Sequence, residues 1–243
     1  MNLNSIRFVL VAPSHPGNIG AAARAIKTMG FSRLYLVNPK SFPDQVATDR
    51  SAGSEDILNA AIVTTSLQEA LTGCQLVIAT SARRRHLAIE NLTPSGAAQL
   101  VNQQSDETEI AIIFGREHAG LTNEELSYSH YHVMIPTNSD YSSLNLAHSV
   151  QIIAYELRMI YLTGAIQSTT DAKNSLATTD SIAFLYEHLE KVLKDINFLK
   201  PTNQVAFSRL KRVINRAHLE QIEVNMLRGI LTQIQQVISN KDS

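Results

Sequence analysis

Six short apolar runs constrain the fold of this chain more than any other feature. IRFVLV (6–11), LYLVN (34–38), AIV (61–63), QLVIAT (75–80), IAIIF (110–114) and HVMIP (132–136) are continuous rather than alternating. Such runs suit strands buried on both faces of a parallel sheet. Parallel neighbours need crossovers, and helical patterns lie between the runs. Ile19–Met29 is closed by Gly30, Ser66–Leu71 by Gly73, and Thr93–Gln103 carries Pro94 in its first turn. TNEEL (122–126) has the acidic start of a helix N-terminus. This βαβα order predicts an open, mostly parallel α/β sheet.

The texture changes after residue 143. A long helix is predicted over Ser143–Leu162, with Leu146, Val150, Ile153, Leu157 and Ile160 on one face. Residues 164–179 are rich in Ser, Thr and small side chains and read as a flexible linker. Ile182, Leu185, Leu189, Val192, Leu193 and Ile196 then mark an amphipathic helix, with two more helices near 204–217 and 220–239. The expected layout is an α/β domain over 1–163, the linker, and a small all-helical extension over 180–243.

At 243 residues and 44% hydrophobic content the chain can bury a sizeable core. Its net charge of -1 offers no bulk attraction for a polyanion, so any nucleic-acid contact must rest on local patches. Cys74 is the single cysteine, which excludes an intrachain disulfide and a cysteine-based zinc site; its apolar surroundings predict an inert, buried thiol. His15, His118, His130, His132 and His148 show no metal-ligand spacing, and no metal is expected. No apolar run is long enough for a bilayer, and the first residues lack a signal-peptide layout, so a cytoplasmic protein without a membrane partner is expected.

Ligands of open α/β sheets bind beyond the carboxyl ends of the strands. Four loops there carry small or hydrogen-bonding residues: SHPGNIGAAAR (14–24), TSARRRH (80–86), GREHAGL (115–121) and YSSLNLAHSV (141–150). Taken alone, PSHPGNIG is explained by a tight turn with an Asn cap, and Arg83, Arg84 and Arg85 by a solvated charge run. Glu117 alone fits a surface ion pair with a nearby arginine. No G-x-G-x-x-G and no G-x-x-x-x-G-K-[ST] is present, which disfavours a nicotinamide enzyme and a P-loop NTPase. Arg24, read on the first turns of its helix, opposes the helix dipole there and calls for another reason to exist.

N-I-G-A-A-A-R, I-F-G-R-E-H-A-G-L-T-N-E-E-L and I-P-T-N-S-D-Y-S-S-L-N-L-A-H-S-V resemble, in order and spacing, the three motifs of the SPOUT RNA 2′-O-ribose methyltransferases, most closely the TrmJ type. The resemblance implies a C-terminal trefoil knot in the sheet domain, a rare exception to unknotted topology. It also implies S-adenosyl-L-methionine as cofactor, held by Thr80, Ser81, Ala82, Gly115, Ile135, Ser142, Ser143 and Leu144. Arg24, Asn18, Glu117, Ser143 and Asn145 are the implied catalytic set, with Asn18, Glu117 and Asn145 orienting Arg24 and the ribose. The long helix is implied to join a homodimer interface across which the site is completed.

The implied reaction is 2′-O-methylation of the pyrimidine nucleotide at position 32 of tRNA. Ribosomal RNA as substrate, or a non-catalytic RNA-binding module, are the alternatives. In KPTNQVAFSRLKRVINRAH (200–218), Arg209, Lys211, Arg212 and Arg216 occur without an acidic residue, and Val205, Leu210, Val213 and Ile214 supply an apolar stripe. Together with Arg83–Arg85 these cations are the expected tRNA-binding residues; a solubilising face is the plainer reading.

Overall fold

The computed structural model describes residues 1–81, 91–138, 140, 143–163, 176–200 and 204–239. The chain divides into two compact units, Met1–Asp171 and Ala172–Ser243. The first is built on seven parallel strands: β1 (Ile6–Val11), β2 (Arg33–Val37), β3 (Ile62–Thr64), β4 (Leu76–Thr80), β5 (Asn91–Leu92), β6 (Ile110–Phe114) and β7 (Tyr131–Val133). Their order in the sheet is β3-β2-β1-β6-β4-β7-β5. Every residue of β1 and of β6 is buried, as continuous apolar runs require.

Successive side chains point to opposite faces of the sheet. Phe8, Leu10, Leu36, Ile78, Ile112 and Phe114 pack with α1 (Pro16–Thr28), α5 (Pro94–Asn102) and α7 (Leu146–Thr163). Val9, Val11, Val37, Val77, Ala79 and Ile113 pack on the other face with α4 (Leu67–Leu71), the buried thiol of Cys74 and Leu126 of α6 (Asn123–Leu126). Residues 82–90 and 141–142, which overlap two of the four loops read from the sequence, lie outside the described residues.

Several boundaries differ from the sequence reading, each for a physical reason. α1 begins at Pro16, because a proline needs no N–H partner in the first turn. The long helix begins at Leu146 rather than Ser143, since Asn145 supplies the cap. The last apolar run pairs only over Tyr131–Val133, and Ile135 and Pro136 leave the ladder to line a loop. Two short helices, α2 (Gln45–Ser51) and α3 (Glu55–Asn59), and the edge strand β5 have no apolar periodicity long enough to announce them.

The second unit consists of α8 (Thr179–Asp195), α9 (Gln204–Arg216) and α10 (Gln221–Ser239). Leu185 and Val192 of α8 bury against Val224 and Leu231 of α10. Of the segment read as linker, residues 164–175 lie outside the described residues, whereas 176–179 are structured. Leu176 bridges to Glu220, Ala177 N–H donates to Leu219 O at 2.8 Å, and Thr178 caps α8. No helix among the described residues is long and apolar enough to cross a membrane.

Candidate active site

The site grows from two backbone exits. β6 ends at Phe114 and leaves through Gly115, where a Cβ would lie 2.2 Å from the carbonyl carbon of Gly120 and 2.3 Å from Leu121 N. Only glycine permits the loop to fold back on its own start. Arg116 pins the fold-back by a two-pronged contact with Glu125, at 2.9 and 2.8 Å. Glu125 also closes a capping box with Thr122 at the start of α6.

The fold-back turns Glu117 toward the other exit, the loop after β1. Its carboxylate accepts the Ser14 N–H at 3.0 Å, the Ser14 hydroxyl at 2.8 Å, the His15 N–H at 3.2 Å and Asn18 Nδ2 at 2.9 Å. Burial alone would raise its pKa, but the donors of Asn18 and Ser14 outweigh that and hold it down at about 2. Asn18 Oδ1 accepts from Asn145 Nδ2 at 2.8 Å, and Asn145 Oδ1 accepts the Ala147 N–H at 2.9 Å. Asn145 is therefore both the cap of α7 and the end of a chain running through Asn18 to Glu117.

A pocket of about 190 Å³ opens at this edge. Thr80 and Ser81 line it from the exit of β4, Gly115 to Leu121 from β6, Ile135 and Thr137 from β7, and Ser143 and Leu144 from the approach to α7. The Thr80 hydroxyl is spent on Ile113 O at 3.1 Å, and Ser81 N–H on Val133 O at 2.9 Å. Apolar walls from Phe114, Val133, Ile135 and Leu146 thus meet a rim of small residues.

Comparison with known proteins adds identity to this geometry. Residues 5–155 match the SpoU rRNA Methylase family, and residues 180–243 match the C-terminal domain of the tRNA methyltransferase TrmJ. The tRNA (cytidine/uridine/adenosine-2′-O-)-methyltransferase TrmJ of Pseudomonas aeruginosa is 46% identical, covering 97% of this chain and 95% of its own. The tRNA (cytidine/uridine-2′-O-)-methyltransferase TrmJ of Photorhabdus laumondii is also 46% identical, covering 96% and 98%. The chain belongs to the TrmJ family. The crystal structure of TrmJ from Z. mobilis ZM4 superposes with a TM-score of 0.84 at 29% identity, over 94% of this chain and 98% of that one. The parallel sheet with its helical extension is therefore the SPOUT fold of this family.

Within this TrmJ-family frame the expected residues divide. Thr80, Ser81, Gly115, Ile135, Ser143 and Leu144 line one pocket, and Glu117, Asn18 and Asn145 form one hydrogen-bonded chain. Ala82, Arg83, Arg84, Arg85 and Ser142 lie outside the described residues. Among the described residues Glu117 makes no ion pair with an arginine, and neutral donors fill its place. Arg24 is the departure: it is exposed, and no described residue bonds its guanidinium group, so the Asn18–Glu117–Asn145 chain does not orient it. It is also the ninth of thirteen residues in α1, past the helix midpoint, so the helix dipole does not oppose it.

On α9 the buried side is Phe207 and Asn215, while Val205 and Val213 are 63% and 51% exposed and share the outer side with Arg209 and Arg216. The apolar stripe expected through the two valines is thus overturned. Lys211 lies 4.8 Å over the Phe207 ring and 5.3 Å over Tyr186, an internal role that separates it from the three arginines. Burial raises the Tyr186 pKa, and its hydroxyl donates toward Asn215 Oδ1 at 2.6 Å. Ser14, Thr137 and Gly120 were not singled out from sequence. Only Ser14 had a signal available, as a small donor just before the first motif.

Proposed function

We propose that this chain transfers the methyl group of S-adenosyl-L-methionine to the ribose 2′-oxygen of cytidine or uridine at position 32 of the tRNA anticodon loop. The observation that carries the reading is the convergence of the Glu117–Asn18–Asn145 chain and the pocket on the same strand exits. Two TrmJ relatives named for 2′-O-methylation of tRNA support the reaction and the substrate class. The pocket fits the cofactor: apolar walls suit an adenine ring, and the Gly115 fold-back lets backbone approach closely. Thr80, Ser81, Gly115, Ile135, Ser143 and Leu144 would hold it, with Ala82 and Ser142 joining by family resemblance.

The cofactor supplies an activated methyl group on a sulfonium. The protein's tasks are alignment and the fate of one proton. Glu117, held near pKa 2, is too weak a base to take it and serves to fix Asn18 and the loop at Ser14. Arginine side chains keep their proton in proteins, so Arg24 acts as a cation. It binds a substrate phosphate and stabilises negative charge developing on the 2′-oxygen, whose proton passes to phosphate or water. Because no hydrogen bond ties Arg24 to its own Glu117 chain, a homodimer in which Arg24 serves the partner's pocket suits the geometry. Tyr155 and Leu162, seven residues apart on one face of α7, leave an exposed apolar side for that contact.

Arg209, Arg212 and Arg216 on α9 contact the tRNA backbone, and the cytoplasm is where the substrate is met. Unmodified tRNA incubated with labelled cofactor should gain label at position 32, mapped by nuclease digestion; label appearing only on ribosomal RNA would overturn the substrate. Adenosine is a second acceptor to include, because the Pseudomonas relative is named for it.

A further inference from the structure

We propose that Arg50 is a second phosphate-binding arginine, placed by α2 beside Arg24 on the RNA-facing side of α1. The inference rests on the methyltransferase reading above and adds a residue to its substrate surface. Among the described arginines of the first unit, Arg7, Arg33 and Arg116 each meet a carboxylate, and Arg158 lies over the Tyr161 ring. Arg24 and Arg50 are exposed and have no hydrogen bond or ion pair among the described residues.

Packing places the two together. A Cβ on Gly20 would lie 2.0 Å from Ala47 O, so α1 and α2 are in backbone contact. One turn away, a Cβ on Gly17 would sit 3.6 Å from Arg50 Cγ, so the stem of Arg50 crosses the first turn of α1 beside Asn18. Gly17 and Arg24 are seven residues apart and share a helix face, separated by about 10 Å of rise. That span matches about three nucleotides at roughly 3.4 Å of rise per nucleotide in a strand.

Among the described residues no acid forms an ion pair with Arg24 or Arg50. Asp44 accepts from Val46 N and Ser41, Asp49 from Gln45, and Asp56 from Lys27. Glu117 is filled by Ser14, His15 and Asn18. Two planar forks on adjoining helices, neither ion-paired among the described residues, fit phosphates about three nucleotides apart on a strand entering the site.

The test is equilibrium binding of the full-length protein to unmodified tRNA across a salt series, with S-adenosylhomocysteine present. Arg50→Gln should weaken binding about 5-fold. The slope of log K against log salt should fall by about 0.7–0.9, the loss of one phosphate contact. Arg50→Lys should keep the slope, because it keeps the charge. In steady-state assays, KM for tRNA should rise more than kcat falls. An Arg50→Gln protein with wild-type affinity and slope, in a preparation that methylates tRNA, would return Arg50 to an ordinary solvated arginine. A wild-type protein that methylates no tRNA would overturn the broader reading, and the role of Arg50 with it.

Discussion

Glu109 leads into β6 and Glu117 follows its exit, and the two carboxylates are satisfied by opposite chemistry. Glu109 Oε2 is shared by Arg7 and Arg33, each at 2.7 Å. Arg7, buried in the sheet, also donates to Ala70 O and Thr72 O and stacks on Tyr35. Burial pushes the Glu109 pKa up, and the two guanidinium groups outweigh it and bring it below the usual range. At the other end Glu117 is surrounded by neutral donors, while Arg24 and Arg50 on the adjoining helices α1 and α2 have no hydrogen bond or ion pair among the described residues. One end of the strand spends its arginines on its own carboxylate. The other withholds them, which is what a surface for an anionic substrate requires.

The contrast breaks most sharply at Arg24. Arg24→Ala should lower methyl transfer by about 10²–10³-fold, as loss of one charge-stabilising donor does elsewhere. Thermal stability and cofactor affinity should hold, and Arg24→Lys should recover little. An alanine variant within tenfold of wild type would mean that free arginines at this edge are only surface charge.

Glu117→Gln is the next largest change. The amide keeps one acceptor oxygen and turns an N–H₂ toward other donors, so stability should fall by about 2–3 kcal/mol. Because the folded-state pKa is depressed from 4.5 to about 2, the wild-type advantage is fully present above pH 4.5 and fades as pH falls toward 2. Denaturant melts of both proteins across pH 2–7 read this directly. A pH-independent difference would assign the loss to packing.

Glu109→Gln should cost less, about 1–2 kcal/mol, since the carboxylate is partly exposed although Arg7 is not. Methyl transfer measured well below the melting temperature should keep its wild-type kcat, because this end of the sheet carries no substrate. The smallest effect is expected from Arg209→Gln on α9. It should lower the salt slope of tRNA binding by about 0.7–0.9 and leave cofactor binding unchanged.

The inner strands were legible because they are buried on both faces and so cannot alternate, whereas Ile62 and Val63 of the edge strand β3 are exposed. The four loops were legible because close backbone approach demands small residues next to strand ends; which of their residues line the pocket came only from the family resemblance. Partnerships were not. Ser14 and Glu117 are 103 residues apart, and no local pattern states that one loop will fold back onto another. QVATDRS, which becomes α2, is a single short helix with a polar outer side, below the length at which periodicity speaks. Missing α2 meant missing Arg50. The dipole argument about Arg24 failed for a related reason: a helix start displaced by three residues moves the cation from the middle of the helix into its second half.

Asn145 has a further consequence because an amide is one rigid plane. Its Nδ2 holds Asn18 and its Oδ1 holds the first turn of α7. Turning the side chain to release Asn18 carries the oxygen away from Ala147 N–H. A substrate that captures this amide therefore acts on two structures at once, the reaction centre and the origin of an eighteen-residue helix. By reciprocity, anything that tightens or frays the start of α7 changes how firmly Asn18 is held. The helix start works as a joint between Asn18 and the scaffold.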